Sequence, residues 1–369
     1  MADFYPALTV RYSENVGFEL FWWRRECPVY HPYLLVCYVT KYTLGVPHRW
    51  REALGVGRDV GVIMDSGGFQ LEAGKSVNPL DVLSWQLANA VDGDIIVPLD
   101  FPYPSTLIDD SEIEKRAKFT AKNTEEWIKA VDKAGVRVTV AVPLHGFTEK
   151  HIRLWYGYLK DYIASTQSIA LGSLVINMKM SAEVASAIAT RVRYAIDYVK
   201  HVHIFGLVGR SVAPYILLLE DMLKKVNVTF DSSAFSKSLK SYRVLVPFDL
   251  AKRMTLGRYA KCRHMKIPPD KLPQITCHCP ACMKFYGGKL GQSATVKMGG
   301  YTNHILLLHN LFHYLLFIDK LKVLRLVGKL EEYYAKNFKS GAKILEVTRA
   351  ILGGERLRLQ DTNLLRWLY

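Results

Sequence analysis

The fold class predicted by this sequence is α/β: a (β/α)8 TIM barrel with a C-terminal zinc-binding subdomain. Three observations predict it. Short apolar runs rich in Val and Ile alternate with longer amphipathic stretches between residues 33 and 225, the pattern of buried parallel strands covered by helices. A barrel occupies roughly 250 residues, which leaves about a hundred of the 369 for an appendage. The alternation then fails from 253 to 300, where the chain turns basic, carries Pro268, Pro269, Pro273 and Pro280, and gathers Cys277, Cys279 and Cys282 within six residues.

In chain order, strands are predicted at 33–39, 60–64, 94–99, 138–142, 168–174, 201–205 and 226–230, several of them bounded by Gly, Pro or Asp. Helical periodicity fills the intervals at 79–90, 111–134, 149–165, 182–199 and 212–225. So many repeats in so short a span favour a closed barrel over an open sheet, and no GxGxxG turn follows the first predicted strand. Helical periodicity returns from 305 to the end. The expected division is a catalytic barrel at 1–252, a basic zinc-binding subdomain at 253–310 and a helical segment packing on the barrel at 311–369.

The net charge of +15 is unevenly spread. Residues 236–300 hold 13 Lys or Arg against 2 Asp, and residues 311–369 hold 11 basic against 6 acidic, so the first 235 residues sum to about −1. A neutral first part joined to a basic second part implies a polyanion partner, nucleic acid, with Arg258, Lys261 and Arg263 as backbone contacts. The start, MADFYPALTV, does not read as a signal peptide, and the most apolar segment, 305–316, is too short and too polar to span a bilayer. A cytoplasmic protein with no membrane partner is expected; a homodimer is left open.

Clustered cysteines without a secretion signal favour metal over disulfides. Three thiolates from CxCxxC and one imidazole, His309 in LLLHNLF, complete a tetrahedral structural zinc site with one Zn2+ per chain. His278, His304 and His313 compete for the fourth position.

Carboxylates stand at the C-terminal ends of three predicted strands: Asp65 opens DSGGFQ, Asp100 opens DFPYPS and Asp231 opens DSSAF. In a barrel those ends form the active face. Three aspartates there shift one another's titration, which suits a site needing a nucleophile, an acid/base and a base-reading acceptor. The plainer alternative is that each caps the next helix; Asp94 is expected to be such a cap or turn residue.

Together DSGGFQ, the aspartate of PLDFPYPS, FDSSAF and CxCxxC with a later HNL resemble the tRNA-guanine transglycosylase superfamily over 61–311. The resemblance implies a (β/α)8 barrel with a zinc subdomain. It implies that Asp231 is the nucleophile attacking ribose C1′ and Asp65 the general acid/base; a carboxylate is a suitable nucleophile for an oxocarbenium-like centre. It further implies that Phe69 and Phe205 sandwich the base, that Asp100 reads the purine's N1 and exocyclic amine, and that Gly172 and Ser173 present backbone N–H groups to it. Where the family usually carries glutamine before glycine, this chain has His145-Gly146, and His145 can still donate to a purine O6. FDSSAF resembles the archaeal branch, yet the chain ends about 60 residues after His309, where archaeal tRNA enzymes continue into RNA-binding domains. That combination resembles the branch that inserts 7-deazaguanines into DNA. The expected function is replacement of guanine by a free 7-deazaguanine, with DNA the favoured polymer and tRNA the alternative. A catalytically silent nucleic-acid-binding subunit is the alternative of another class, disfavoured by the presence of both Asp65 and Asp231.

Overall fold

The computed structural model describes residues 2–8, 18–103, 109–174, 180–206, 211–232, 235, 243–245, 253–255, 277–288 and 300–354. Eight parallel strands make a ring: β1 (Asp3–Pro6), β2 (Tyr33–Cys37), β3 (Gly61–Asp65), β4 (Ile95–Ile96), β5 (Thr139–Val140 and Val142–Pro143, interrupted at Ala141), β6 (Ser168–Leu171), β7 (His201–Ile204) and β8 (Asn227–Ser232). Neighbours in sequence are neighbours in space from β2 to β8, and β8 pairs with β1. The ring shuts where the Leu8 N–H donates to Leu35 O at 2.8 Å and Ala7 bridges Leu35 in parallel register. The ladder crosses the break in β5 through Ala141 N–H to Ile96 O and Leu144 N–H to Ala170 O, both 2.9 Å.

All seven predicted strands are present: those predicted at 33–39, 94–99, 168–174 and 201–205 end earlier, while those predicted at 60–64, 138–142 and 226–230 start one residue later and run one or two residues further. β1 was not predicted: DFYP is four residues ended by a proline, too short for a period-2 pattern, and only its pairing with β8 makes it a strand. Inside the ring, Tyr5, Leu35, Ile63, Ile95, Val97, Ala141 and Ala170 form an apolar cluster of their own. Their alternate neighbours, among them Phe4, Leu34, Val62, Ile96, Ile169, Val202 and Val228, join the larger core between strands and helices. This alternation assigns each strand residue to the barrel interior or to the helix layer.

The covering helices are α1 (Pro79–Leu87), α2 (Asp110–Ala134), α3 (Glu149–Thr166), α4 (Ala182–Ala195) and α5 (Val212–Leu223). Side-chain oxygens of Asn78, Asp109, Thr148 and Ser181 accept the backbone N–H of Leu80, Glu112, His151 and Val184, which fixes where α1 to α4 begin. The carboxylate of Asp94 does serve a turn, accepting the Val91 N–H at 2.9 Å, and it also pairs with buried Arg51 at 2.5 Å.

Beyond the ring follow α6 (Pro280–Tyr286), α7 (Gly300–Leu326), α8 (Leu330–Asn337) and α9 (Gly341–Leu352). α7 runs unbroken across position 310. Arg325 on α7 donates to Asp221 at 2.8 Å and to Glu220 at 2.5 Å, clamping α7 to α5. α9 lies on α4 through Ala189, Val347 and Ile351. Among the described residues no helix is long and apolar enough to cross a membrane.

Truncation of Ile351, buried between α9 and α4, is expected to lower stability by about 2–4 kcal/mol in Ile351→Ala, as a core cavity does. Leu326→Ala, at a residue 76% exposed, should stay within about 0.5 kcal/mol of the parent. Denaturant unfolding of both variants checks the packing; equal effects would contradict it.

Candidate active site and metal centre

Asp65 ends β3 and Asp231 lies near the end of β8, each continuing an inward-facing series: Gly61, Ile63, Asp65 on one side and Thr229, Asp231 on the other. The barrel therefore brings both to the same mouth. Asp65 keeps a small exposed edge but is enclosed by protein. Burial pushes its carboxyl up to about 6; Asp100 and Asp231 push the same way, against the Cys37 thiol and the Gly67 N–H, which favour the charged form. Cys37, at the end of β2, was not singled out in the sequence; burial first, then the charge of Asp65, raises its own thiol.

Asp231 Oδ1 accepts the Gly206 N–H at 2.7 Å. Among the described residues its Oδ2 takes no hydrogen bond. Asp100 is held at both oxygens, Ser66 Oγ donating to Oδ1 at 3.2 Å and His145 Nε2 lying 2.7 Å from Oδ2. The glycines of DSGGFQ are explained by crowding. Gly67 has φ of 79°, and a Cβ on Gly68 would lie 2.3 Å from Asp100 Oδ1.

His145 is buried, and a Cβ on Gly172 would meet its ring at 3.0 Å and that of Phe205 at 4.0 Å. His145, Gly172 and Phe205 are thus contiguous around Asp100. Phe205, half-buried after β7, packs on the interior cluster and stands edge-on to His203 with centroids 4.4 Å apart. Phe69, on the turn Phe69–Glu72, is 42% exposed, an available apolar face beside Gly68. Ser173 holds a left-handed conformation, φ 54°, and its Oγ accepts the Tyr103 N–H at 3.0 Å. Arg258, Lys261 and Arg263 lie outside the described residues.

Arg191 was missed in the sequence. It is fully buried on α4, where its Nε donates to Gly146 O at 2.7 Å, its Nη1 to Gly172 O at 2.7 Å and its Nη2 again to Gly146 O. One guanidinium thereby fixes the two loops that carry His145 and Ser173, and burial draws it down to about 9. The signal was present: Arg191 continues the apolar stripe of Val184, Ile188 and Ala195 on its helix.

The cysteines converge as their spacing predicts. Cys279 caps α6 and its Sγ accepts the Cys282 N–H at 3.4 Å; Cys277 Sγ accepts the Cys279 N–H at 3.4 Å. His309 Nδ1, from α7, lies 3.5 Å from the sulfurs of Cys277 and Cys279 and 3.3 Å from that of Cys282. His313 Nε2 comes within 3.4 Å of Cys277 Sγ, and ligand atoms of Cys277, Cys279, His309 and His313 all lie within 4.8 Å of one another. This is a buried Cys/His group able to hold a metal ion. His278 is exposed instead. The next residue on α7, Asn310, donates to Phe235 O at 3.0 Å, joining this knot to the segment that follows Asp231.

The family described as queuine tRNA-ribosyltransferase matches residues 59–342. Two relatives, each named tRNA-guanine(15) transglycosylase, come from Methanosarcina barkeri and Methanosarcina mazei. Each is 26% identical over 296 residues, covering 79% of this chain and 53% of the relative. The chain spans about half the length of the curated relatives it matches.

Asp65 titrates at about 6 in the fold against 3.8 when unperturbed. The folded state holds that proton more tightly, so Asp65 lowers stability as pH climbs from about 4 to about 6, and the loss persists above. Asp65→Asn removes the slope. It should be more stable than the parent at pH 7.5 by about 2 kcal/mol, within the worth of a two-unit shift. Denaturant unfolding between pH 4 and 7.5 tests this, and a difference that does not change with pH would count against it.

Proposed function

The chain belongs to the queuine tRNA-ribosyltransferase family, and from that premise we propose that it is a pentosyltransferase exchanging a guanine in nucleic acid for a free 7-deazaguanine through a covalent aspartyl–ribose intermediate. The observation that carries this reading is the pairing at the barrel mouth. Asp231 has one oxygen held by the Gly206 N–H and the other without a hydrogen bond among the described residues, beside Asp65, which keeps its proton to about pH 6. Two carboxyl groups in different environments are suited to the two roles of nucleophile and acid/base. Asp231 Oδ2 attacks C1′ as the C1′–N9 bond breaks, and the departing guanine takes its proton from Asp65. The incoming base returns a proton to Asp65 as its nitrogen displaces Asp231 from C1′.

The target base leaves any stack to reach this mouth. Phe69 and Phe205 form its walls; Asp100, oriented by Ser66 and His145, accepts from N1–H and the exocyclic amine. His145 and the backbone N–H groups of Gly172 and Ser173 face the opposite edge, supported by their contiguity around Asp100 and by the clamp of Arg191.

For the metal centre we assign zinc on Cys277, Cys279, Cys282 and His309. The 3.3–3.5 Å from His309 Nδ1 to all three sulfurs is close to the edge, about 3.6 Å, of a tetrahedron with Zn–S and Zn–N bonds. The ion would join α6 and the cysteines before it to α7 and take no part at C1′. On this reading 1–252 carries catalysis and 311–369 covers the barrel.

The relatives' names support tRNA as polymer. DNA, expected from the sequence, meets the same chemistry, and the basic run 237–297 can bind the phosphates of either. Incubation with labelled guanine and separate tRNA and DNA pools decides: the pool that gains label is the substrate, and label in neither overturns the reading. Asp231→Asn should abolish a denaturant-resistant protein–nucleic acid adduct; survival of the adduct moves the nucleophile elsewhere. Metal analysis should give about one zinc per chain, and Cys279→Ala should lose the metal together with thermal stability, because structural zinc contributes folding energy.

A further inference from the structure

The barrel lining is not wholly apolar. On the β6–β7–β8 side a chain of polar side chains rises through it to Asp231. Ser168 Oγ lies 2.7 Å from His201 Nδ1, His201 Nε2 lies 2.9 Å from Thr229 Oγ1, and Thr229 Oγ1 lies 2.8 Å from His203 Nδ1. His203 Nε2 has no hydrogen-bond partner among the described residues, and it faces Asp231 Oδ1 at 3.7 Å. Ser168, His203 and Thr229 are buried, and His201 nearly so.

Proton counting gives this chain a direction. Burial, then the neighbouring His203, draws His201 down to about 3, so His201 is neutral and carries one ring proton. The Thr229 hydroxyl has one hydrogen and two lone pairs; when that hydrogen serves the chain it goes to one imidazole nitrogen, and the hydroxyl accepts from the other. Two self-consistent arrangements follow. In one, Ser168 donates to His201, His201 to Thr229, Thr229 to His203, and His203 presents Nε2–H to Asp231. In the other every bond is reversed, and His203 turns a lone pair towards a carboxylate oxygen inside a closed barrel, where like-signed groups repel and neither is solvated. The first arrangement satisfies Ser168, His201 and Thr229 and turns the remaining N–H of His203 towards the carboxylate 3.7 Å away; the second turns a lone pair there.

We propose that His203 is a positioning residue for Asp231, fixed as the Nε2–H tautomer by Thr229, His201 and Ser168. This rests on the assignment of Asp231 as nucleophile. With Gly206 N–H and His203 Nε2–H both directed at Oδ1, Oδ2 is the oxygen left for C1′. When the intermediate breaks down, the C1′–Oδ2 bond pair returns to the carboxylate while the incoming base bonds to C1′ and gives its proton to Asp65. Donors at Oδ1 favour that returning charge, so the relay acts chiefly on breakdown of the intermediate.

The test has two arms. In full-length protein with 15N-labelled histidine rings, nitrogen NMR should show His203 and His201 protonated at Nε2, and Thr229→Val, which keeps the shape and removes the hydroxyl, should release His203 to the other tautomer. A wild-type His203 protonated at Nδ1 overturns the proposal. In the exchange assay His203→Phe should slow turnover about tenfold or more, the scale of one charge-assisted hydrogen bond, while the trapped adduct rises. His203→Gln, whose amide nitrogen reaches the place of Nε2, should recover most of the rate. Thr229→Val should shift the adduct in the same direction as His203→Phe. Unchanged adduct and turnover in both His203→Phe and Thr229→Val overturn the proposal. A wild-type protein that exchanges nothing would overturn the functional reading alone, because the tautomer measurement does not depend on activity.

Discussion

The Leu8 N–H to Leu35 O hydrogen bond, with the parallel bridge of Ala7 to Leu35, is the seam on which the rest of the structure depends. Together with the four-residue pairing of β1 to β8 it converts an open sheet into a ring. Without it β1 and β2 would present unpaired edges. Closure also changes what the inward face means. In an open sheet alternate residues share a plane; in a ring they share an axis. Asp65 and Asp231, far apart in the chain, meet for that reason, and the charge of Asp231 adds to the effect of burial in raising the Asp65 carboxyl.

A mouth built this way needs its loops held still. The structure uses buried polar side chains rather than apolar packing for the task. Arg191 satisfies the carbonyls of Gly146 and Gly172 from below, and Gln86 does the same between β3 and β4, donating to Met64 O at 3.0 Å and Val97 O at 2.9 Å. A buried guanidinium is costly to desolvate, and the bonds to otherwise unmet carbonyls offset that cost. The gain is geometric: a fork-shaped donor holds two loops in one relation, which apolar contacts would leave free to slide.

The cysteine knot extends the same principle beyond the ring. α6 is only two turns long and begins at one of the sulfurs, so it has little stability of its own. His309 joins it to α7, a helix of 27 residues that is also clamped to α5 by Arg325. Asn310 then carries the connection to Phe235, close in sequence to Asp231.

The sequence by itself determined the fold class, all of the ring's strands but β1, the convergence of three cysteines, and the placing of Asp65 and Asp231 at strand ends. These are written in local periodicity and spacing, which need no knowledge of what lies opposite. His313, named only as a competitor for the metal, was brought within reach because α7 places it one turn from His309. Tertiary structure alone decided the rest. β1 exists because β8 is there to pair with it. Arg191 became a clamp because α4 passes beneath two loops from other parts of the chain. Cys37 came to lie against Asp65 because β2 and β3 pair in a register that sets those two residues side by side. The chain Ser168–His201–Thr229–His203 arose from the matching of three strands. In each case the partner is distant in sequence, and closure of the ring is the step that makes it a neighbour.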